Sequence, residues 1–144
     1  MGARSRLGIA VLALVGLALA GAPAPAAGVT ADAFIRQWDA DHDGTLSLDE
    51  VKKAAEARFD ALDRKHDGTL DRKELGATVA AQEFRRADTD KDGKLDKNEY
   101  LALAENLFRA ADKTGSGKLD KKQLNSGAGR SLLRLFGPRQ GPVF

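Results

Sequence analysis

The chain has 144 residues, 42% of them hydrophobic and 31% charged, with 15 Gly, 4 Pro and no Cys. This is the composition of one modest globular domain, and the missing cysteine excludes disulfide scaffolds, thiolate metal sites, thiol nucleophiles and lipid anchors attached through cysteine. The formal charge of +2 comes from 23 basic against 21 acidic residues, and Arg4 and Arg6 account for the excess. Beyond residue 26 the charges balance, so nothing in them points to a nucleic-acid partner.

Residues 1–26 combine a short basic start, an apolar run from Leu7 to Ala20 and a small-residue stretch ending at Ala26. That pattern predicts a secretory signal peptide cleaved after Ala26, and hence a periplasmic or secreted product with no membrane span in its mature form. Fourteen apolar residues make a helix of about 21 Å, short of a hydrocarbon core of about 30 Å.

From Asp39 a pattern recurs at starts 39, 63, 88 and 112: Asp, then Gly at the sixth place, Leu at the eighth and an acid or amide at the twelfth. The first and third copies, Asp39-Ala-Asp41-His-Asp43-Gly44 and Asp88-Thr-Asp90-Lys-Asp92-Gly93, are followed by Glu50 and Glu99 at position 12. Both resemble the twelve-residue EF-hand calcium loop, in which a hard cation takes oxygens from positions 1, 3, 5, 7 (a carbonyl), 9 and 12 and Gly at position 6 turns the chain. The candidate ligands are therefore Asp39, Asp41, Asp43, Thr45, Ser47 and Glu50 in loop 1, and Asp88, Asp90, Asp92, Lys94, Asp96 and Glu99 in loop 3.

Loop 2 keeps Asp63, Asp67, Thr69, Asp71 and Glu74 but has Lys65 at position 3, where an ammonium cannot ligate a cation, so it is expected to bind weakly. Loop 4 offers Asp112, Thr114, Ser116, Lys118 and Asp120 and ends in Gln123. Two carboxylates against five in loop 3 make it the poorest site, since affinity follows ligand charge.

Only 12, 13 and 12 residues separate the loops (51–62, 75–87, 100–111). Neighbouring hands must then share helices, which predicts an all-α, compact EF-hand bundle over 27–126: four loops joined by three short shared helices. If those helices run up, down and up, loops 1 and 3 meet at one end and loops 2 and 4 at the other. Gly76 and Thr78 are expected to interrupt the middle helix, with Thr78 as an N-cap. The apolar flanks Ile35, Phe59, Phe84 and Phe108 before the loops and Val51, Leu75, Tyr100 and Leu124 after them are the expected core. Trp38 is expected in the core or at its rim, where it should report metal binding, and His42 and His66 as plain surface residues. Residues 127–136 carry Leu132, Leu133, Leu135 and Phe136 among Arg130 and Arg134 and read as a short helix closing the bundle, the sharper alternative being a docking or anionic-lipid segment. Residues 137–144 are expected to be disordered.

The loop spacing, the leader and the closing segment Ser126-Gly-Ala-Gly-Arg-Ser-Leu132-Leu133-Arg-Leu135 together resemble lanmodulin, a family of periplasmic lanthanide-binding EF-hand proteins of methylotrophic bacteria. Shared wording includes Asp71-Arg-Lys-Glu74-Leu75-Gly after loop 2 and Glu99-Tyr100-Leu-Ala after loop 3. The resemblance implies the same fold and metal binding. That family places Pro at position 2 of its loops, where this chain has Ala40, Arg64, Thr89 and Lys113, and Asp at position 9, where loop 1 has Ser47.

The expected cofactor is Ca²⁺, with a trivalent lanthanide as the alternative, because both ions favour the same oxygen cage. No nucleophile–base pair or phosphate-cradling glycine loop is present, so an enzyme is not expected. Two function classes remain: a monomeric metal buffer, carrier or sensor, or a calcium-stabilised interaction module for a protein partner. Met1 is the only methionine, which argues against a Met-rich target groove.

Overall fold

The computed structural model describes residues 29–137; the predicted leader, 1–26, and all of the predicted tail beyond Gly137 lie outside them. The fold is the expected all-α EF-hand bundle. Helix α1 (Ala31–Trp38) enters loop 1, strand β1 (Leu46–Ser47) and helix α2 (Leu48–Leu62) leave it, and β2 (Thr69–Leu70) ends loop 2. Two short helices follow, α3 (Arg72–Leu75) and α4 (Ala81–Ala87). Then come β3 (Leu95–Asp96), α5 (Lys97–Ala111), β4 (Lys118–Leu119), α6 (Lys121–Leu124) and α7 (Gly127–Leu135).

The helices start where local chemistry starts them. Thr30 caps α1 by accepting from the Ala33 N–H at 3.2 Å. Ser47, Asp71, Asp96 and Asp120 cap α2, α3, α5 and α6, and the position-12 side chain of each loop reaches back to the cap N–H. Positions 9 and 12 of every loop are thus the two ends of a capping box, and the residues that offer oxygens to a cation also nucleate the exiting helix. The sequence shows this spacing as ligand spacing; its second use as a helix cap appears only in the folded chain.

The middle connection breaks, and this overturns the expected arrangement of the loops. After Leu75 the backbone at Gly76 turns to φ 60°, ψ −136°, a conformation open to glycine. Thr78 is buried and donates its hydroxyl to the Leu75 carbonyl at 2.6 Å, and the N-cap position of α4 falls to Ala80 instead. The N-cap role expected of Thr78 is therefore not filled. With the middle segment folded back, β2 pairs with β3 and β1 with β4, both antiparallel. Loops 2 and 3 share one end of the bundle and loops 1 and 4 the other, not 1 with 3 and 2 with 4. Helices α2 and α5, 15 residues each, pack against one another and separate the two ends by about 22 Å.

The core runs between these ends. Seven of the eight predicted flanking positions are buried, but Ile35 is only partly so and Phe34, 1% exposed, takes its place. The reason is the ring of Phe136 just after α7, 4.5 Å from that of Phe34. The four position-8 leucines, Leu46, Leu70, Leu95 and Leu119, lie on the β ladders and are fully buried. Helix α7 lies on α5, with Leu132, Leu133 and Leu135 buried and the Tyr100 hydroxyl 3.5 Å from the Leu135 carbonyl. Its apolar face is therefore covered, which removes the exposed patch that a lipid or docking role for this segment requires. Among the described residues no helix is long and apolar enough to cross a membrane.

Candidate metal centres

All four loops wrap around their first aspartate. One oxygen of Asp39, Asp63, Asp88 and Asp112 accepts the N–H of position 6, at 2.8, 2.9, 3.1 and 2.7 Å. The other oxygen accepts the N–H of position 5 at 3.1 to 3.2 Å. This wrap needs left-handed backbone at two places. Position 6 is Gly in every loop, while position 4 is His42, His66, Lys91 or Gly115, all at positive φ. His42 and His66 are exposed, as expected of surface residues.

Beyond this common wrap, loops 1 and 3 part from loops 2 and 4. In loop 1 the Ala40 N–H at position 2 donates to Glu50 Oε1 at 2.8 Å, while Glu50 Oε2 accepts from the Ser47 N–H at 2.8 Å. In loop 3 the Thr89 N–H donates to Glu99 Oε1 at 2.8 Å, its hydroxyl does so at 2.7 Å, and Glu99 Oε2 accepts from the Asp96 N–H at 3.0 Å. The position-12 carboxylate thereby pins the exiting helix across the mouth of the loop and closes a ring. Within these rings the carboxylates converge: one oxygen each from Asp39, Asp41 and Asp43, and one each from Asp88, Asp90 and Glu99, fall within 4.8 Å of one another. Among the described residues these are the two acidic groupings with metal-holding geometry.

Crowding shows in the acidities. Asp41 is raised above its usual value by its hydrogen bond to Asp39, by partial loss of hydration and by the charges of Asp43 and Glu50. At Asp90 the Asp92 N–H pulls the other way, but partial loss of hydration and the charges of Asp92, Glu99 and Asp88 prevail and raise it. Hard oxygens held together at like-charge cost fit a hard cation such as Ca²⁺.

Loops 2 and 4 are closed differently. The position-2 N–H groups of Arg64 and Lys113 turn back to the carbonyls of Leu62 and Ala111, at 2.8 and 2.9 Å, so they do not reach position 12. In loop 2 the Lys65 ammonium hydrogen-bonds Asp71 and lies 3.7 Å from Glu74 Oε2, which puts a positive charge of the chain's own against positions 9 and 12. It holds Asp71 at about 2. Glu74, 4% exposed, keeps its Oε1 without a hydrogen-bond partner. In loop 4 the Gln123 amide nitrogen donates to Asp112 Oδ1 at 3.3 Å and to Thr114 Oγ1 at 3.2 Å, so a neutral donor spans positions 1, 3 and 12. Each degenerate loop has an internal donor where an intact loop presents only acceptors. Lys65 and Gln123 stood out in the sequence as losses of ligand, and their positive contribution to loop closure shows only in three dimensions.

A model of the EF hand matches the chain four times, over residues 31–54, 55–80, 81–104 and 103–125, each match containing one whole loop. A comparison with curated proteins finds no match. Four matched repeats spanning most of the described residues, on four loops with the wrap, ladder and capping box set out above, place the chain in the EF-hand family of calcium-binding proteins.

Proposed function

We propose that the chain is an exported, monomeric ion-binding EF-hand protein, a metal buffer, carrier or sensor, in which loops 1 and 3 hold Ca²⁺ while loops 2 and 4 serve as their closed structural partners. The observation that carries this reading is the ring closure: Glu50 and Glu99 meet the position-2 N–H only in the loops whose carboxylates converge. A bound cation would neutralise each cluster. Asp39, Asp41, Asp43 and Glu50 would supply the side-chain oxygens at one end, joined by the Thr45 carbonyl and Ser47. Asp88, Asp90, Asp92, Asp96 and Glu99, with the Lys94 carbonyl, would do so at the other. The chain's own part is to hold position 1 by two backbone N–H groups, so that the first ligand of each cage is fixed before any ion arrives.

The leader read from residues 1–26 supports a periplasmic or secreted location, where free calcium is high enough to fill even modest sites. The lanmodulin resemblance adds the finer reading that a trivalent lanthanide outcompetes Ca²⁺, since attraction scales with ion charge. Position 2 bears directly on that choice. Proline has no N–H, so chains with Pro there lack the bond that Ala40 and Thr89 make to the position-12 carboxylate here. Competition titration of the wild-type chain against an Ala40→Pro, Ser47→Asp, Thr89→Pro variant tests it. The variant should gain lanthanide preference by removing the position-2 donors from Glu50 Oε1 and Glu99 Oε1 and adding a carboxylate at position 9 of loop 1. Equal preference in both chains would refute the assignment of metal choice to these positions.

A further inference from the structure

The two loop pairs are not electrostatically alike. The β1–β4 register sets Ser47 opposite Lys118, which brings position 7 of loop 4 alongside loop 1. At position 7 a loop offers its carbonyl as ligand, so the side chain is free to go elsewhere. The Lys118 carbonyl accepts from Ser116 within loop 4 at 2.9 Å, while the ammonium crosses the ladder to hydrogen-bond Asp43 and stands 3.9 Å from Asp41 Oδ2. At the other end of the bundle the equivalent residue, Lys94 of loop 3, crosses in the same way to Asp67 of loop 2 at 3.6 Å. The geometry is repeated but its targets differ. Lys94 leaves an intact loop for a degenerate one, whereas Lys118 leaves a degenerate loop for an intact one.

We infer that Lys118 is a tethered counter-charge of the loop 1 site, which an incoming cation must displace from Asp43 and Asp41, so that loop 1 binds more weakly than loop 3 and fills after it. The inference rests on the reading that loops 1 and 3 are the ion sites, and adds to it an order of filling and the residue that sets it. Loop 1 has four carboxylates facing one borrowed ammonium. Loop 3 has five, and its own position-7 lysine is turned toward the neighbouring loop. Because Lys118 is about half exposed, its opposition to a cation is partly screened and should weaken as salt is raised.

The experiment is a Ca²⁺ titration of the full chain, followed by calorimetry and by Trp38 emission, Trp38 standing immediately before loop 1. Lys118→Gln removes the charge and keeps the position-7 carbonyl, and Lys118→Arg keeps the charge. Loop 1 is isolated by Glu99→Gln and loop 3 by Glu50→Gln. In the wild-type chain the Trp38 change should follow the second equivalent of Ca²⁺. Lys118→Gln should tighten loop 1 by about three- to tenfold in dilute buffer, with the gain shrinking in concentrated salt. Loop 3 should not change, and Lys118→Arg should behave as wild type. Loop 1 affinity that is unchanged or weaker in Lys118→Gln, with circular dichroism showing the fold intact, overturns the role of Lys118 alone. No Ca²⁺ uptake by the Glu99→Gln chain overturns the loop 1 site itself, and the role of Lys118 with it.

Discussion

Helix α7 contains two glycines two residues apart that should respond in opposite directions to the same substitution. A Cβ on Gly129 would sit 2.2 Å from the Gln123 carbonyl oxygen, 2.4 Å from that of Leu124 and 2.5 Å from Leu124 Cα, all backbone atoms of the α6 turn. A Cβ on Gly127 would meet nothing within 4 Å. Ordinary contact begins near 3.4 Å, so Gly129→Ala must push α7 away from α6 by about 1 Å. The Ser126 hydroxyl holds the two together, donating to the Gln123 carbonyl at 2.6 Å and accepting from the Gly129 N–H at 3.1 Å. Overpacking of this kind costs about 1–3 kcal/mol. If α7 detaches altogether, Leu132, Leu133 and Leu135 lose burial worth about 1.5–3 kcal/mol each, comparable with the whole stability of a small domain. Gly127→Ala should instead stabilise by up to about 1 kcal/mol through a more restricted unfolded chain. At about 4 °C per kcal/mol, thermal unfolding in excess Ca²⁺ should show Gly129→Ala lowered by about 4–12 °C and Gly127→Ala level or slightly raised. Equal shifts for the two variants would refute the close docking of α7 on α6.

Lys65→Asp replaces the internal cation of loop 2 by the missing position-3 carboxylate, giving Asp63, Asp67, Asp71 and Glu74 the donor set of loop 3; calorimetry should then find one more Ca²⁺ site, and an unchanged count would show that the backbone of loop 2 forbids binding. Asp43 and Asp71 lie at about 2 because Lys118 and Lys65 hold them ionised. A folded-state pKa below the unfolded one gives stability that is present above about pH 4 and lost as pH falls toward 2. Melting of the chelated protein should therefore drop across that window, less steeply in Lys65→Met, whereas Asp41 and Asp90, shifted upward, work in the opposite sense. Far-ultraviolet circular dichroism should gain helix when Ca²⁺ replaces chelator, together with a change in Trp38 emission, because neutralising the clusters favours the closed loops; identical spectra in both states would mean that folding and ion binding are uncoupled.

The loops were legible in the sequence because a hard cation imposes residue types at fixed places within twelve residues, and four copies in register leave little else to read. The same local logic located seven of the eight core flanks. It missed Phe34 because the choice between Phe34 and Ile35 depends on Phe136, about a hundred residues away. The pairing of loops was misread for a comparable reason. The break at Gly76 is readable from the sequence, but the direction in which Gly76 and the Thr78–Leu75 bond fold the chain back is not, and the burial of Leu46 with Leu119 and of Leu70 with Leu95 fixes which loops meet. Lys65 and Gln123 were visible as departures from the ligand pattern. That they close their loops, and that Lys118 crosses to another, depends on distances that no spacing rule contains.

In the proposed function two of four similar loops carry the ions, one at each end of the bundle. Calorimetric titration of the wild-type chain, Glu50→Gln, Glu99→Gln and the double variant with Ca²⁺ tests it most directly. The wild type should show two sites, each single variant one, and the double variant none of comparable affinity. Four equivalent sites in the wild type, or two sites surviving in the double variant, would contradict it.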